Sequence, residues 1–146
     1  MVQHSRSPVL SKWVMPFLIA IMSTIAQSSE VILQSIDNLE NDEFHSDEGN
    51  DFKLIKLDQG CKIEARFFIS YENILFQYFF QNDLIKATQK TYRYHYEKDF
   101  EGSLGHVTDV YQHSSAILNI RDPDVKKDFI RYKALFPNHD LKLCEH

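Results

Sequence analysis

The chain has 146 residues, of which 43% are hydrophobic and 25% are charged. Such a length and composition are typical of one folded domain, and they exclude a disordered chain or a bundle of membrane-spanning helices for the body of the protein. The formal net charge of −5 disfavours binding to nucleic acid or to an anionic membrane surface.

The start of the chain has the three parts of a cleavable secretory signal. Arg6 and Lys12 precede an apolar run over residues 14–26, which ends in small side chains. This run is shorter than the roughly 20 residues that a membrane-spanning helix needs, so we expect removal of the segment and no stable membrane anchor afterwards. We therefore predict a signal over residues 1–26 and a single domain over residues 27–146.

Export would change both the net charge and the redox state of the domain. All 21 acidic residues lie beyond the predicted signal, with only 14 of the 16 basic ones, which leaves a net charge of −7 and favours a protein partner with a basic surface. An oxidising compartment would join Cys61 and Cys144 in a disulfide. The chain has no Asn-x-Ser/Thr glycosylation site, so among secreted or periplasmic locations we favour a bacterial envelope.

The first segment of the domain is predicted to be a short amphipathic helix over residues 28–41. Apolar residues recur there at the three- and four-residue spacing of a helix, at Ile32, Leu33, Ile36 and Leu39. An acidic loop over residues 41–51 follows, with little to bury. Its carboxylates are candidates for binding a basic partner, namely Asp42, Glu43, Asp47 and Glu48.

Beyond the acidic loop the apolar period changes from helical to two, which indicates β-strands. The clearest strand begins at Cys61, whose side chain falls on the buried face. Turn residues such as Gly60 separate the strands, and the last strand is expected to bend or break around His113. The predicted strands cover residues 52–57, 61–70, 74–80, 84–97 and 107–120.

A second helix is predicted near the carboxy terminus. Asp122 suits the N-cap, Pro123 suits the first helical position, and Pro137 ends the helix. The resulting fold class is α+β, an antiparallel meander of four to five strands with an N-terminal and a C-terminal helix packed on one face. A small β-barrel with a terminal helix is the alternative, because long aromatic strands can close on themselves.

The densest aromatic and basic cluster lies on the fourth predicted strand. Alternation places three tyrosines on one face and two basic residues on the other, in the order Tyr92, Arg93, Tyr94, His95 and Tyr96. Such a strand can present a platform for stacking and hydrogen bonding. The same pattern is typical of a half-buried sheet face, so both interpretations stay open.

No catalytic, metal or cofactor site is predicted. His45, Ser46 and Asp47 are adjacent in sequence, but a catalytic triad needs spatial convergence and an oxyanion hole, which neighbours in an acidic loop do not provide. The histidines lack the paired spacing of zinc ligands. With four glycines and no phosphate-binding loop, a nucleotide cofactor has no support.

Three functions follow from these observations. The favoured one is an exported, non-enzymatic binding module, such as an inhibitor or an immunity-type protein that neutralises another protein. The second is an envelope structural or assembly factor that pairs through a sheet edge or through the aromatic strand over residues 74–80. The third is a small hydrolase.

Overall fold

A six-stranded antiparallel sheet forms the centre of the protein. The computed structural model describes residues 29–101 and 104–145, so the predicted signal over residues 1–26 lies outside the described residues. The sheet is open, its strand order follows the chain order, and β1 and β6 form its edges. The strands are β1 (Val31–Asp37), β2 (Asn50–Lys56), β3 (Cys61–Ile69), β4 (Glu72–Phe80), β5 (Leu84–Tyr96) and β6 (Val107–Leu118).

The longest described helix begins as the sequence predicts. The Asp122 carboxylate accepts a hydrogen bond of 2.9 Å from the Asp124 amide, and Pro123 lies in the first turn. None of the described helices is long and apolar enough to cross a membrane. The helices are α1 (Pro123–Lys133), α2 (Asn138–Leu141) and one-turn 3₁₀ helices over Leu104–His106 and Lys142–Cys144.

The hydrophobic core lies between α1 and one face of the sheet, which we call the helix-covered face. Because side chains alternate along a strand, every second residue of the central strands contributes to it. The ring of Tyr132 on α1 contacts three rings of this face, those of Phe52, Phe67 and Tyr78, with centroid distances of 5.7, 6.2 and 5.6 Å. These aromatic contacts hold α1 against the sheet.

Cys61 and Cys144 form a disulfide, as predicted, and both are fully buried. Cys61 is the first residue of β3, so the bond joins the end of the described chain to an inner strand of the sheet. A buried disulfide of this kind is consistent with an oxidising compartment.

The opposite face of the sheet carries a chain of polar side chains. Lys62 Nζ lies 2.9 Å from Glu64 Oε1 and 3.1 Å from Glu30 Oε1. Gln77 donates to Glu64 at 2.9 Å, and Thr88 donates to Gln77 at 3.2 Å. These partners compensate the burial of Lys62, which is 6% exposed.

The predicted N-terminal helix over residues 28–41 is wrong, because Val31–Asp37 form β1 and pair with β2. A bulge shifts the register between Ile32 and Gln34, so the apolar residues depart from strict alternation and imitate helical spacing. A helix this short has little stability of its own, whereas pairing with β2 satisfies the backbone groups of the segment.

Three further expectations about the sheet are corrected, and a fourth, the bend or break near His113, is refined. It has six strands in place of four to five, and it is open, so the closed-barrel alternative is wrong. Among the described elements, no N-terminal helix covers the sheet face, since that segment is an edge strand. The expected interruption near His113 is a bulge inside one continuous strand, between the partner pairs Thr91–Ser114 and Tyr92–Gln112.

Candidate functional site

The predicted acidic loop is an ordered segment that one buried asparagine holds in place. Asn50, the first residue of β2, is 4% exposed, and its side chain bonds three backbone groups. Its Oδ1 accepts from the Leu39 amide at 2.8 Å, and its Nδ2 donates to the carbonyls of Leu39 and Phe44 at 3.1 and 2.7 Å. The loop therefore ends before Asn50, and we call residues 41–49 the acidic segment.

The acidic segment is also anchored by one buried aromatic side chain, which its polar composition does not suggest. Phe44 is 4% exposed and packs on Phe52 and Tyr132, with ring centroids 5.4 and 5.7 Å apart. The expectation that this segment has little to bury is wrong at this position, because a single aromatic ring is enough to attach it to the core.

Glu43 is the predicted carboxylate of the segment that pairs with α1. Arg131 of α1 donates through Nε to Glu43 Oε1 at 2.7 Å and also donates to the Glu43 carbonyl at 3.0 Å. The hydrogen bond to Glu43 raises the pKa of the Arg131 guanidinium. Asp42, Asp47 and Glu48 remain exposed, so they form the accessible acidic part of the segment.

The end of the acidic segment continues the pairing between β2 and β3. The Phe68 amide donates to the Gly49 carbonyl at 3.0 Å, and the Glu48 amide donates to the Phe68 carbonyl at 3.3 Å. The Ser46 hydroxyl donates to the same Phe68 carbonyl. Gly49 has a φ of +95°, which a side chain would strain. The segment is thereby fixed beside the turn that joins β3 to β4.

The three predicted tyrosines of β5 lie on the face opposite α1, and each is half-buried. The Arg66 guanidinium lies 5.8 Å from the centroid of the Tyr92 ring. The Tyr94 hydroxyl accepts from Asn73 Nδ2 at 3.1 Å, and the Tyr96 hydroxyl donates to the Ser70 carbonyl at 3.2 Å. These contacts fix the orientation of the rings.

Tyr96 brings the two predicted clusters together. Burial, the Tyr94 phenol, the Glu48 carboxylate and the Tyr71 phenol together raise the pKa of Tyr96. The Glu48 amide bonds the Phe68 carbonyl and the Tyr96 hydroxyl bonds the Ser70 carbonyl, so the acidic segment and β5 meet beside the β3–β4 turn although 48 and 96 are distant in sequence. We call this end of the sheet, formed by residues 41–49, 70–71 and 94–101, the acidic end.

Arg93 and His95 point to the face opposite the tyrosines, as alternation predicts. Arg93 Nε lies 3.3 Å from Glu72 Oε2. The His95 ring stacks on Tyr111 with centroids 4.4 Å apart, and its Nδ1 lies 3.8 Å from Asp109. The five residues of the predicted cluster therefore do not form one platform but flank the strand end from both faces.

Two depressions lie at the acidic end, and both are rich in carboxylates. The larger has a volume of about 980 Å³ and is lined by four acidic and three basic side chains together with tyrosines, the charged and basic ones being Glu72, Glu97, Asp99, Glu101, Arg93, His95 and Lys98. The smaller, of about 540 Å³, has four carboxylates in its lining, those of Glu40, Asp42, Asp47 and Glu48. Carboxylates beside aromatic rings can hold a cation by charge and by cation–π contact.

The adjacent residues His45, Ser46 and Asp47 do not assemble a triad. His45 and Asp47 are exposed with 3.9 Å between Nε2 and Oδ1, whereas the Ser46 hydroxyl is directed to the Phe68 carbonyl. Within the part of the chain that the structure describes, no three His, Cys, Asp or Glu side chains are grouped as metal ligands.

Several residues of the acidic end escaped prediction from the sequence. Tyr71 and Glu97 to Glu101 belong to it only because the β3–β4 turn and the end of β5 are neighbours in the folded sheet. Asn50 and Arg131 act on the acidic segment from outside it.

Comparison with protein-family models, with curated proteins and with solved structures found no match to this chain.

Proposed function

We propose that the protein is an exported, non-enzymatic binding module that attaches to the basic surface of another protein through its acidic end. The observation that carries this proposal is that Glu48 and Tyr96 both bond the backbone at the end of β3, the Glu48 amide to the Phe68 carbonyl at 3.3 Å and the Tyr96 hydroxyl to the Ser70 carbonyl at 3.2 Å. The acidic segment and the tyrosine-bearing end of β5 therefore meet in one surface. Acidic side chains steer a basic partner during encounter, and tyrosines supply contact area at low entropic cost.

The charge distribution at the acidic end supports a cationic partner. The two depressions together are lined by eight carboxylates and only two lysine or arginine side chains, Arg93 and Lys98, beside the imidazoles of His45 and His95; the carboxylates are those of Glu40, Asp42, Asp47, Glu48, Glu72, Glu97, Asp99 and Glu101. Both depressions are open to solvent, so a protruding part of a macromolecule could enter them. The surface is held by Phe44, Asn50 and Arg131, so little ordering would accompany binding.

The assembly-factor hypothesis named two places for a partner, and the structure supports the sheet edge but not the aromatic strand. β4 is paired on both sides, with β3 and β5, so the aromatic strand over residues 74–80 offers no free edge to a partner. Among the described strands, β6 does offer one, because only β5 pairs with it. The hydrolase hypothesis gains no comparable support, since the adjacent His45, Ser46 and Asp47 are not arranged for proton transfer.

The test compares two variants that remove the same amount of charge. Immobilised wild-type protein, Asp42→Asn/Glu48→Gln and Asp83→Asn/Glu145→Gln are each incubated with an envelope extract of the producing organism at low ionic strength. Asp83 lies in the β4–β5 turn and Glu145 near the carboxy terminus, both outside the acidic end. We expect a basic protein to be retained by the wild type and by the second variant, and lost by the first.

Two results would contradict the proposed function. One is retention of the same protein by all three baits, because the acidic end would then be dispensable. The other is the absence of any retained protein at low ionic strength, where electrostatic attraction is strongest.

A further inference from the structure

Among the described elements, β6 is a long edge strand that has a bulge at His113 but neither charged residues nor proline from Val110 onwards to protect it against pairing with another strand. Nine of its twelve residues are exposed, and the side chains of Val110 and Ile117 are 48% and 80% exposed. From Val110 to Leu118 the sequence contains no Lys, Arg, Asp, Glu or Pro. Natural edge strands are ordinarily shortened, charged or interrupted by proline, because their free backbone groups are a template for pairing.

The other edge of the sheet is protected in the usual way. β1 has seven residues, is broken by a bulge after Ile32, and is bounded by Glu30 and Asp37. A short strand with an acidic residue at each end disfavours addition of another strand, whereas β6, which also has a bulge, is longer and uncharged beyond Asp109. The difference between the two edges points to β6 as the one available for an interaction.

The bulge at His113 gives β6 an unusual pattern of side chains. Gln112 pairs with Tyr92 and Ser114 with Thr91, so His113 is an extra residue in β6. One face of the sheet therefore receives the even-numbered side chains before His113 and the odd-numbered side chains after it. Val110 and Ile117, which are seven residues apart, consequently project on the same face of the sheet, opposite α1. Without the bulge, an odd separation would place them on opposite faces.

We propose that β6 pairs antiparallel with β6 of a second copy of this chain. Because Val110 and Ile117 lie on one face, one antiparallel register places Val110 of each copy opposite Ile117 of the other. In the same register Gln112 is opposite Ser115, and Tyr111 is opposite Ala116. Each of these pairs joins side chains from the same face, and the bulged His113 of each copy lies beside the two-fold axis.

A second copy fits this edge better than an unrelated strand for two reasons. The two-fold arrangement buries the exposed Val110 and Ile117 side chains in two equivalent apolar pairs, and a strand of another protein would have to match them independently. The uncharged stretch from Val110 to Leu118 also lets two negatively charged chains approach without repulsion along the strand. The pairing would extend the sheet across both copies and direct their acidic ends to opposite sides.

The dimer is tested by sedimentation velocity of the full chain over a range of concentrations. We expect a species of twice the monomer mass for the wild type and its loss in Ile117→Lys, because two lysines would enter the strand interface. Ile130→Lys is the matched control, since Ile130 is 64% exposed on α1, away from β6, and should leave the dimer intact. A wild type that stays monomeric at every concentration would overturn the proposal.

The register is tested by crosslinking, which does not depend on the lysine variant folding. Val110→Cys and Ile117→Cys are prepared as separate proteins and oxidised alone or as a mixture. The proposed register predicts a covalent dimer in the mixture and little in either protein alone, because only residues 110 and 117 of different copies are opposite each other. Equal crosslinking of Ile117→Cys alone, or none in the mixture, would overturn this register.

Discussion

Cys144, in the last described turn, is bonded to Cys61 at the start of β3, with 5.1 Å between their Cα atoms and 83 residues of separation. Both sulfurs are shielded from solvent, so the bond is part of the core. Because Cys144 follows α1 and α2 in the chain, the bond ties the segment that contains both helices to β3.

Removing this bond is expected to destabilise the fold strongly. The Cys61→Ala/Cys144→Ala variant should lose about 4 to 5 kcal/mol of unfolding free energy, because the unfolded chain regains the entropy of a long loop. Urea unfolding without reductant measures the difference. Reductant should lower the midpoint of the wild type and leave that of the variant unchanged, and a wild-type midpoint insensitive to a reductant that frees both thiols would contradict this account.

Asn50 is expected to determine both stability and the shape of the acidic segment. Asn50→Ala removes hydrogen bonds to the backbone of Leu39 and Phe44, which should cost about 1 to 3 kcal/mol because buried backbone groups lose their partners. Hydrogen exchange should accelerate over residues 39–49. Asn82→Ala, in the exposed β4–β5 turn, is the control and should change neither quantity. Unchanged exchange in Asn50→Ala would show that the segment is held by other contacts.

The sequence predicts much of the sheet and little of the acidic end. Period-two alternation located β2 to β5 within a few residues because each strand has one core-facing side. The same reasoning failed at β1, where the bulge after Ile32 removes the alternation. The proximity of Glu48 and Tyr96 was beyond prediction, because it depends on how β3 pairs with the end of the acidic segment and on the turn at Ser70.

The Lys62–Glu64 pair is expected to make stability depend on acid pH. Burial would raise the pKa of Glu64, but hydrogen bonds from Lys62 and Gln77 outweigh it and lower this pKa from its ordinary 4.5. A lowered folded-state pKa contributes stability that is present above 4.5 and lost as the pH falls through the folded value. Glu64→Gln should therefore be less stable than the wild type at pH 7, by about 2 kcal/mol.

The pH dependence of that difference is the informative measurement. Unfolding free energies of the wild type and of Glu64→Gln should approach each other as the pH is lowered below about 4.5, where the carboxylate is protonated in the unfolded chain. Glu145→Gln, at an exposed position, should follow the wild type throughout. A stability gap that is constant from pH 3 to pH 7 would exclude a contribution from the charge of Glu64.

Gly60 is expected to be intolerant of any side chain. Its φ is +73°, and a Cβ placed on it would lie 2.3 Å from the Phe80 carbonyl oxygen. Gly60→Ala should cost more than about 1 kcal/mol through backbone strain and this overlap. Gly105→Ala is the matched control, because a Cβ there meets no described atom within 4 Å. Equal melting temperatures of the two variants would contradict the geometry of the β2–β3 turn.

The most direct test of the binding surface is an amide chemical-shift titration of the labelled protein with the purified basic partner. The proposed function predicts shifts concentrated at the acidic end, over residues 41–49, 70–71 and 94–101, which weaken as salt is added. Residues 58–60 and 81–83, in the turns at the other end of the sheet, should not move. Shifts confined to those turns or to the helix-covered face, with the acidic end unaffected, would contradict it.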